Sequence, residues 1–192
     1  MNLYWRLLLV WLRNLSGDQR HYTHAGQSRF RVLPHDLDAF GHMNNGRYLQ
    51  IMDVARVEWM LQTGVLAAIR RHRWSPLLGG GFIRYRYSLR LLQSFHVQTR
   101  LLGWDTRWFY LEHNFTDNHN RCVAIGITRA GLRDGAQWVD THAVADMVHP
   151  GAQSPDIPEH VHDCISVEQA MFKHGTSAQP APTQSHDLGV ER

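Results

Sequence analysis

The sequence predicts an α+β protein in which a long central helix is wrapped by a curled antiparallel sheet of about five strands. One segment of alternating polar and apolar residues comes first, a long apolar segment with helical spacing follows, and at least four further alternating segments come after it. A sheet that is apolar on one face can bury such a helix. The 192 residues, 43% of them hydrophobic, are sufficient for one domain with a real core and two tails.

The N-terminal region, residues 1–27, is predicted to be an amphipathic helix followed by a linker. The segment Leu3–Leu15 is mostly apolar, but Arg6 and Arg13 interrupt it well before the roughly 20 apolar residues that a membrane-spanning helix needs. Both arginines lie on one helical face and leave a wide apolar face opposite. Two interpretations stay open: this face docks on the protein's own domain or a second copy, or it makes peripheral contact with a membrane.

The next region, residues 28–150, is predicted to be the folded domain. The first strand is expected at Ser28–Leu33, the central helix at Asn45–Thr63 with Gly64 as its C-terminal stop, and a short second helix at Val65–Arg71. Gly79–Gly81 is interpreted as a flexible entry to the following strand. Four more strands, interpreted as a meander, are predicted at Ile83–Arg90, Phe95–Leu101, Arg107–Phe115 and Arg121–Ala130.

The C-terminal region, residues 151–192, is predicted to be an extension rich in Pro, Ser and His. The stretch Gly175–Arg192 lacks any apolar period, so its composition predicts disorder over the last ~20 residues.

The charge balance and the spacing of the cysteines and histidines disfavour nucleic-acid binding, disulfide bonds and metal binding. Lys and Arg exceed Asp and Glu by only 20 to 17, so the chain does not require a nucleic-acid partner. Cys122 and Cys164 lie far apart, which is typical of a reducing compartment and favours a cytoplasmic location. The 14 histidines include no pair with HExxH spacing, so neither a metal site nor a cofactor is expected.

A polar segment directly before the central helix carries the candidate chemistry. It reads Asp36-Leu-Asp38-Ala-Phe-Gly41-His42-Met-Asn44-Asn45. With the residues that follow it, this segment resembles the hot-dog thioesterase family, which includes 4-hydroxybenzoyl-CoA and short-chain acyl-CoA thioesterases. The further matching positions, within a resemblance that covers about residues 29–130, are Tyr48, Asp53, Arg56, Ile83–Arg90, Gly103, Trp104, Asp105 and Trp108.

The resemblance implies the hot-dog fold and is greatest to a less-characterised thioesterase-like branch that also begins with a short apolar segment. It implies that Asp38 is the catalytic carboxylate. Related acyl-carrier-protein thioesterases carry Asn where this chain has Phe40, so that substrate class is disfavoured and a purely Asp-based mechanism is retained.

Thioester hydrolysis needs an activated water or a carboxylate nucleophile, together with donors aimed at the carbonyl oxygen. A carboxylate before a helix start supplies the first, and the N–H groups of Gly41, His42 and Met43 are expected to be free donors near the positive helix end. Asp38, Gly41 and His42 are therefore the catalytic candidates. The alternative is that Asp36 and Asp38 only cap turns, and that His42 only bonds to the loop.

Six residues on the following helix are the candidates for substrate binding. The acyl chain is expected to run between the central helix and the sheet. The competing interpretations are that the two asparagines only start the helix and that the apolar side chains only pack in the core. The candidates are Asn44, Asn45, Tyr48, Met52, Ala55 and Trp59.

The predicted function is acyl-CoA thioester hydrolysis by a homodimer or a dimer of dimers, because the family places its sites between subunits and a second copy would cover an exposed sheet edge. Arg70–Arg73 and Trp74 either bind coenzyme A phosphates or form a solvated basic helix end.

The first alternative function is a non-catalytic acyl-CoA-binding or scaffold protein, associated with a membrane through residues 3–15. A hot-dog dehydratase is the second, but the His-Phe-Pro signature of its site is absent.

Overall fold

The computed structural model describes residues 2–15 and 19–177. The chain divides into two compact units, Met1–Pro158 and Glu159–Arg192. The helices are α1 (Asn2–Arg13), α2 (Asn45–Thr63), α3 (Val65–His72), α4 (Thr141–Val148) and α5 (Glu159–Ser177). The strands are β1 (Gly26–Arg31), β2 (Ser75–Tyr85), β3 (Ser94–Trp104), β4 (Phe109–Asp117), β5 (Cys122–Asp134) and β6 (Gln137–Trp138).

The strands form one curled antiparallel sheet in the order β1-β3-β4-β5-β2, and the two-residue β6 pairs with β5. The α+β prediction is therefore confirmed. The meander prediction is correct only for β3, β4 and β5, because β2 pairs with β5 at the far edge instead of with β3. Residues 86–93 return the chain to β3 without a hairpin. Within this connection the fully buried Leu89 joins the core, and its carbonyl accepts the N–H of Met43 at 2.8 Å.

The bounds of β2 also differ from the prediction. The strand ends at Tyr85, and Gly79–Gly81 lies inside it rather than before it. A Cβ on Gly79 would overlap the indole of Trp108, so this glycine makes room for a ring from the flank of β4. The register shifts between Leu78 and Gly80. The glycines therefore serve close packing within a strand, which their sequence alone does not reveal.

Helix α2 lies against the sheet and forms the centre of the core. Its N-cap is Asn44, whose side chain accepts the N–H of Gly46 at 2.8 Å. At its other end Gly64 adopts the left-handed conformation, with φ of 82°. The helix buries Tyr48, Ile51, Met52, Val54, Ala55, Glu58, Trp59 and Thr63.

Helix α1 docks on the same domain through one face. Leu3 and Leu7 pack against the main core, and Val10 is 2% exposed. Arg6 is buried as well, and its guanidinium donates to Asp36 at 2.5 Å and to the carbonyl of Arg31 at 3.2 Å. Among the described residues, no helix is both long enough and apolar enough to cross a bilayer.

Two C-terminal helices were not predicted. Helix α4 begins at an Asp140 cap that accepts the N–H of His142 at 2.9 Å. Helix α5 extends to Ser177, so the first residues of the stretch predicted to be disordered are helical, and the rest lies outside the described residues. Its apolar period is interrupted by polar residues, which explains why the sequence pattern did not indicate it.

Candidate functional site

The loop before α2 is built around Asp36, whose side chain is fully buried. Its carboxylate accepts the N–H of Leu33 at 2.9 Å and pairs with Arg6, while its carbonyl accepts the N–H of Asn44 at 2.8 Å. These contacts tie the two ends of the loop and helix α1 to one residue, Asp36. Asp36 therefore holds the loop in place and is not accessible to a substrate.

Asp38 lies two residues further and is half-buried. Its Oδ1 accepts the N–H of Phe40 at 2.9 Å and of His42 at 3.2 Å, which closes a tight Asx turn. Its own N–H donates to the carbonyl of His42 at 2.8 Å. Among the described residues Oδ2 has no hydrogen-bond partner, so this oxygen is available to a water or an acyl carbon.

The prediction of three free amide donors is wrong for this conformation. The N–H of Gly41 donates to the carbonyl of Asp38 at 3.2 Å, that of His42 to Asp38 Oδ1, and that of Met43 to the carbonyl of Leu89. The turn and an isolated bridge between Leu37 and Met43 use these donors for the loop itself. Gly41 has φ of 77° and open space around its Cβ position, so its conformation, rather than crowding, requires glycine there.

The structure separates the six substrate-binding candidates into three groups. Asn44 caps α2, and Asn45 is exposed with its carbonyl accepting the hydroxyl of Tyr85 at 3.0 Å. Tyr48, Met52 and Ala55 are buried in the core at 2%, 1% and 1% exposure. Burial, the largest influence, raises the pKa of Tyr48 to about 12. Trp59 is 4% exposed and lines a cavity.

This cavity encloses about 290 Å³ against the C-terminal half of α2, with α3 and strands β2, β4 and β5 as its other walls. Its lining is mostly apolar and includes Val57, Met60, Ile69, Leu77, Leu78 and Leu132. Asp38, Gly41 and His42 are not among the residues that line it. Asp53, the lining residue nearest the start of α2, is already ~12 Å along the helix from Asn45, at about 1.5 Å per residue.

Two polar residues of α2, Asp53 and Arg56, line this cavity. The sequence indicated Asp53 as a secondary candidate, with an ion pair to Arg56 as the alternative interpretation. Arg56 Nη2 donates to Asp53 Oδ1, and Arg56 Nη1 lies 3.4 Å from Thr128 Oγ1 on β5. The i,i+3 spacing of an acid and a base was the available signal, but it is equally typical of a solvated ion pair.

A buried histidine continues this polar chain into the sheet. His113 Nε2 lies 3.1 Å from Thr128 Oγ1, and its Nδ1 lies 3.0 Å from Thr99 Oγ1. Burial first, and the charge of Arg56 second, lower the pKa of His113 to about 3, so the ring is neutral near pH 7.

The basic segment at the end of α3 lies beside the cavity's α3 wall. Arg70, Arg71 and Arg73 are exposed, and the ring of His72 stacks on Trp74 with centroids 4.6 Å apart. Ile69, one residue before this segment, lines the cavity. Both interpretations of the arginines, phosphate binding and a solvated helix end, fit this placement.

Comparisons with known proteins identify the family. The family model described as "Thioesterase-like superfamily" matches residues 32–165. Protein THEM6 of Xenopus laevis is 38% identical over 131 residues, which cover 68% of this chain and 62% of the relative. The chain spans slightly less than half of the THEM6 proteins of Danio rerio and Drosophila melanogaster, at 46% and 49% of their lengths.

Solved structures of low sequence identity share the fold. YbaW, a probable thioesterase of Escherichia coli, superposes with a TM-score of 0.60 at 18% identity, over 66% of this chain and 97% of that protein. A gentisyl-coenzyme A thioesterase superposes with a TM-score of 0.54 at 21% identity, over 62% of this chain and 97% of that protein. With the extent of the family match, the sheet and the central helix, these findings show that the chain belongs to the thioesterase-like superfamily and has the hot-dog fold.

Proposed function

We propose that this protein hydrolyses acyl-CoA thioesters with Asp38 as the general base or the nucleophile. The observation that carries the proposal is the half-buried Asp38 carboxylate, whose Oδ1 is held by two amides and whose Oδ2 has no hydrogen-bond partner among the described residues. Family membership supports hydrolysis of a thioester, and the gentisyl-coenzyme A thioesterase makes coenzyme A esters the first substrates to test.

As a base, Asp38 Oδ2 takes a proton from water while the water oxygen bonds to the acyl carbon. The C–S bond then breaks, and the departing coenzyme A sulfur receives the proton. As a nucleophile, Oδ2 itself bonds to the acyl carbon, the thiolate leaves, and water hydrolyses the resulting anhydride. In either route the positive end of α2 favours the oxygen as it gains charge, and we assign the half-buried His42 ring as a donor to that oxygen.

We further propose that the working form is a homodimer joined at the β2 edge. This strand has 11 residues, none of them buried, and among the strands that the structure describes it has a neighbour, β5, on one side only. Leu77 and Leu78 are 44% and 51% exposed on it and also line the cavity. A long exposed edge with apolar side chains favours pairing with another strand. A second copy there would bring its own residues to the open side of the cavity.

The decisive experiment measures thiol release from acyl-CoAs of increasing chain length with a thiol-reactive dye. We expect turnover of at least one short or medium chain, because a cavity of about 290 Å³ is at the small end of ligand-binding pockets. A parallel preparation of Asp38→Asn controls for contaminating thioesterases. If no acyl-CoA is hydrolysed but several bind, the non-catalytic acyl-CoA-binding function replaces this one.

A second proposal concerns the outer face of α1, which we assign to peripheral contact with a membrane from the cytoplasmic side. Six large apolar residues are exposed there: Tyr4, Trp5, Leu8, Trp11, Leu12 and Leu15. Aromatic residues on an amphipathic helix are typical of the lipid interface. We expect Trp5→Ala/Trp11→Ala to lose sedimentation with phosphatidylcholine vesicles, whereas Leu91→Ala/Leu92→Ala, which removes exposed apolar residues elsewhere, retains it. Equal sedimentation of both variants would exclude this role.

A further inference from the structure

The cavity contains one polar feature, the ion pair between Asp53 and Arg56, in a lining that is otherwise almost entirely apolar. The Arg56 side chain is 12% exposed, and the Asp53 side chain is 51% exposed. The guanidinium is therefore largely shielded from solvent, whereas the carboxylate side chain is half exposed. Placing a charged pair in an apolar site costs free energy unless its hydrogen bonds are satisfied.

Three almost completely buried side chains of the sheet support Arg56 through a chain of polar contacts. Thr128, His113 and Thr99 are 3%, 0% and 1% exposed, and they link in that order from Arg56 through contacts of 3.4, 3.1 and 3.0 Å. In one arrangement Arg56 donates to Thr128, the Thr128 hydroxyl donates to Nε2 of the neutral His113, and Nδ1–H donates to Thr99. Each of these three links then has one donor and one acceptor, so the chain holds the guanidinium at the cavity wall.

We propose that Asp53 and Arg56 form a recognition subsite for a hydroxyl group carried by the acyl chain of the substrate. This inference rests on the proposed thioesterase function. A hydroxyl can donate to the Asp53 carboxylate and accept from the Arg56 guanidinium, which matches both members of the pair. A carboxylate on the chain would be repelled by Asp53, and an ammonium by Arg56. A plain alkyl chain would remove water from the pair and replace none of its hydrogen bonds.

The test compares two matched substrates, octanoyl-CoA and 8-hydroxyoctanoyl-CoA, by their kcat/KM values. For the wild-type protein we expect about a tenfold or greater preference for the hydroxylated chain, since hydrogen bonds to charged groups discriminate at that level. Asp53→Ala should reduce the preference to about one. Arg100→Gln serves as the matched control, because it removes one partner of the Arg100–Glu112 ion pair, which does not line the cavity. The control should keep the wild-type preference.

Equal turnover of the two substrates by the wild-type protein would overturn the subsite, and so would a preference that survives in Asp53→Ala. Should Asp53→Ala fail to fold, as judged by circular dichroism, Asp53→Asn replaces it and should also reduce the preference. Thr128→Val keeps the shape of the side chain and removes its hydroxyl, so it should weaken the preference by loosening Arg56.

A binding measurement separates this inference from the proposed function. Non-hydrolysable thioether analogues of the two substrates are titrated by calorimetry. If no thioester is hydrolysed, the proposed function fails, and the ratio of the two Kd values decides the subsite alone. A Kd about tenfold lower for the hydroxylated analogue supports it, and equal Kd values overturn it.

Discussion

At the scale of single residues, two aspartates separated by one residue have different environments. Asp36 is fully buried and pairs with Arg6, whereas Asp38 is half-buried and directs one oxygen into its own turn. The chemistry of the side chain is the same at both positions. Its surroundings make Asp36 a structural group and leave Asp38 as the candidate for catalysis.

Asp38→Asn is expected to lower kcat by about 10² to 10⁴, because an amide is neither a base nor a nucleophile. The amide oxygen can still accept the N–H groups of Phe40 and His42, so the urea midpoint should stay close to that of the wild type. Asp36→Asn should change kcat much less and lower the stability instead. If the Asp38→Asn protein keeps more than about half of the wild-type kcat, Asp38 has no place in the mechanism.

His113 is expected to make the stability depend on pH between about 3 and 6.5. Its pKa is about 3 in the folded protein and near 6.5 when unfolded, so only the unfolded state binds the proton in this range. The contribution is fully present above pH 6.5 and is lost as the pH falls, by about 1.4 kcal/mol per pH unit. The free energy of unfolding, measured in urea at pH 7.5, 6 and 5, should fall less with decreasing pH in His113→Gln than in the wild type. Parallel losses in both proteins would contradict this origin.

At the scale of elements, α1 is attached to the domain by a buried charge pair as well as by apolar packing. Arg6 is 8% exposed, and its partner Asp36 belongs to the loop that carries Asp38. Removing Arg6 takes away the nearest ionic partner of the buried Asp36 carboxylate and leaves more distant ones such as Arg47 Nε at 3.7 Å. Breaking a buried pair commonly costs about 3–5 kcal/mol. The same contact links the position of α1 to the shape of the candidate catalytic loop.

Arg6→Met is therefore expected to lower the free energy of unfolding by about 3–5 kcal/mol. Arg13→Met is the matched control, because Arg13 is an exposed arginine at the end of the same helix, and it should change stability by less than about 0.5 kcal/mol. In the double variant Arg6→Met/Asp36→Asn, which removes the charge and keeps an oxygen that can accept the N–H of Leu33, part of the loss should be recovered. Equal losses for Arg6→Met and Arg13→Met in urea would show that the pair contributes little.

At the scale of the whole molecule, the two parts of the candidate site lie at different ends of α2. Asp38 precedes the helix, whereas the cavity lies against its C-terminal half and reaches the open β2 edge. A two-fold dimer joined at that edge can supply Asp38 from one subunit to the cavity of the other. A monomer would have to close the same gap by a change of conformation.

Mixing two inactive variants tests this arrangement. Asp38→Asn removes the carboxylate, and Ala130→Trp fills the cavity that Ala130 lines. If each site takes one part from each subunit, heterodimers contain one intact site, and unfolding and refolding the mixture should restore about a quarter of wild-type activity. Each variant refolded alone is the control, and light scattering reports the oligomeric state. A mixture as inactive as its components would place both parts in one chain.

The sequence by itself determined the features that depend on neighbouring residues. Asn44 and Gly64 marked the start and the end of α2 correctly, because a side-chain cap and a left-handed glycine act within one helical turn. The short turns at residues 105–108 and 118–121, between the alternating segments of β3, β4 and β5, were sufficient to predict that these strands pair, because a short turn joins neighbouring antiparallel strands. The segment around Asp38 identified the family and the candidate carboxylate, since both depend on a short run of residues.

Only the tertiary structure decided the remaining features. It placed β2 beside β5, since alternation reports which face of a strand is buried and not which strand is its neighbour. It showed that the loop uses the amides of Gly41, His42 and Met43, and that the cavity lies beside Asp53 and Arg56 instead of Tyr48, Met52 and Ala55. The partner of the Met43 amide, Leu89, and the walls of the cavity come from residues far apart in the chain, and no local pattern encodes them.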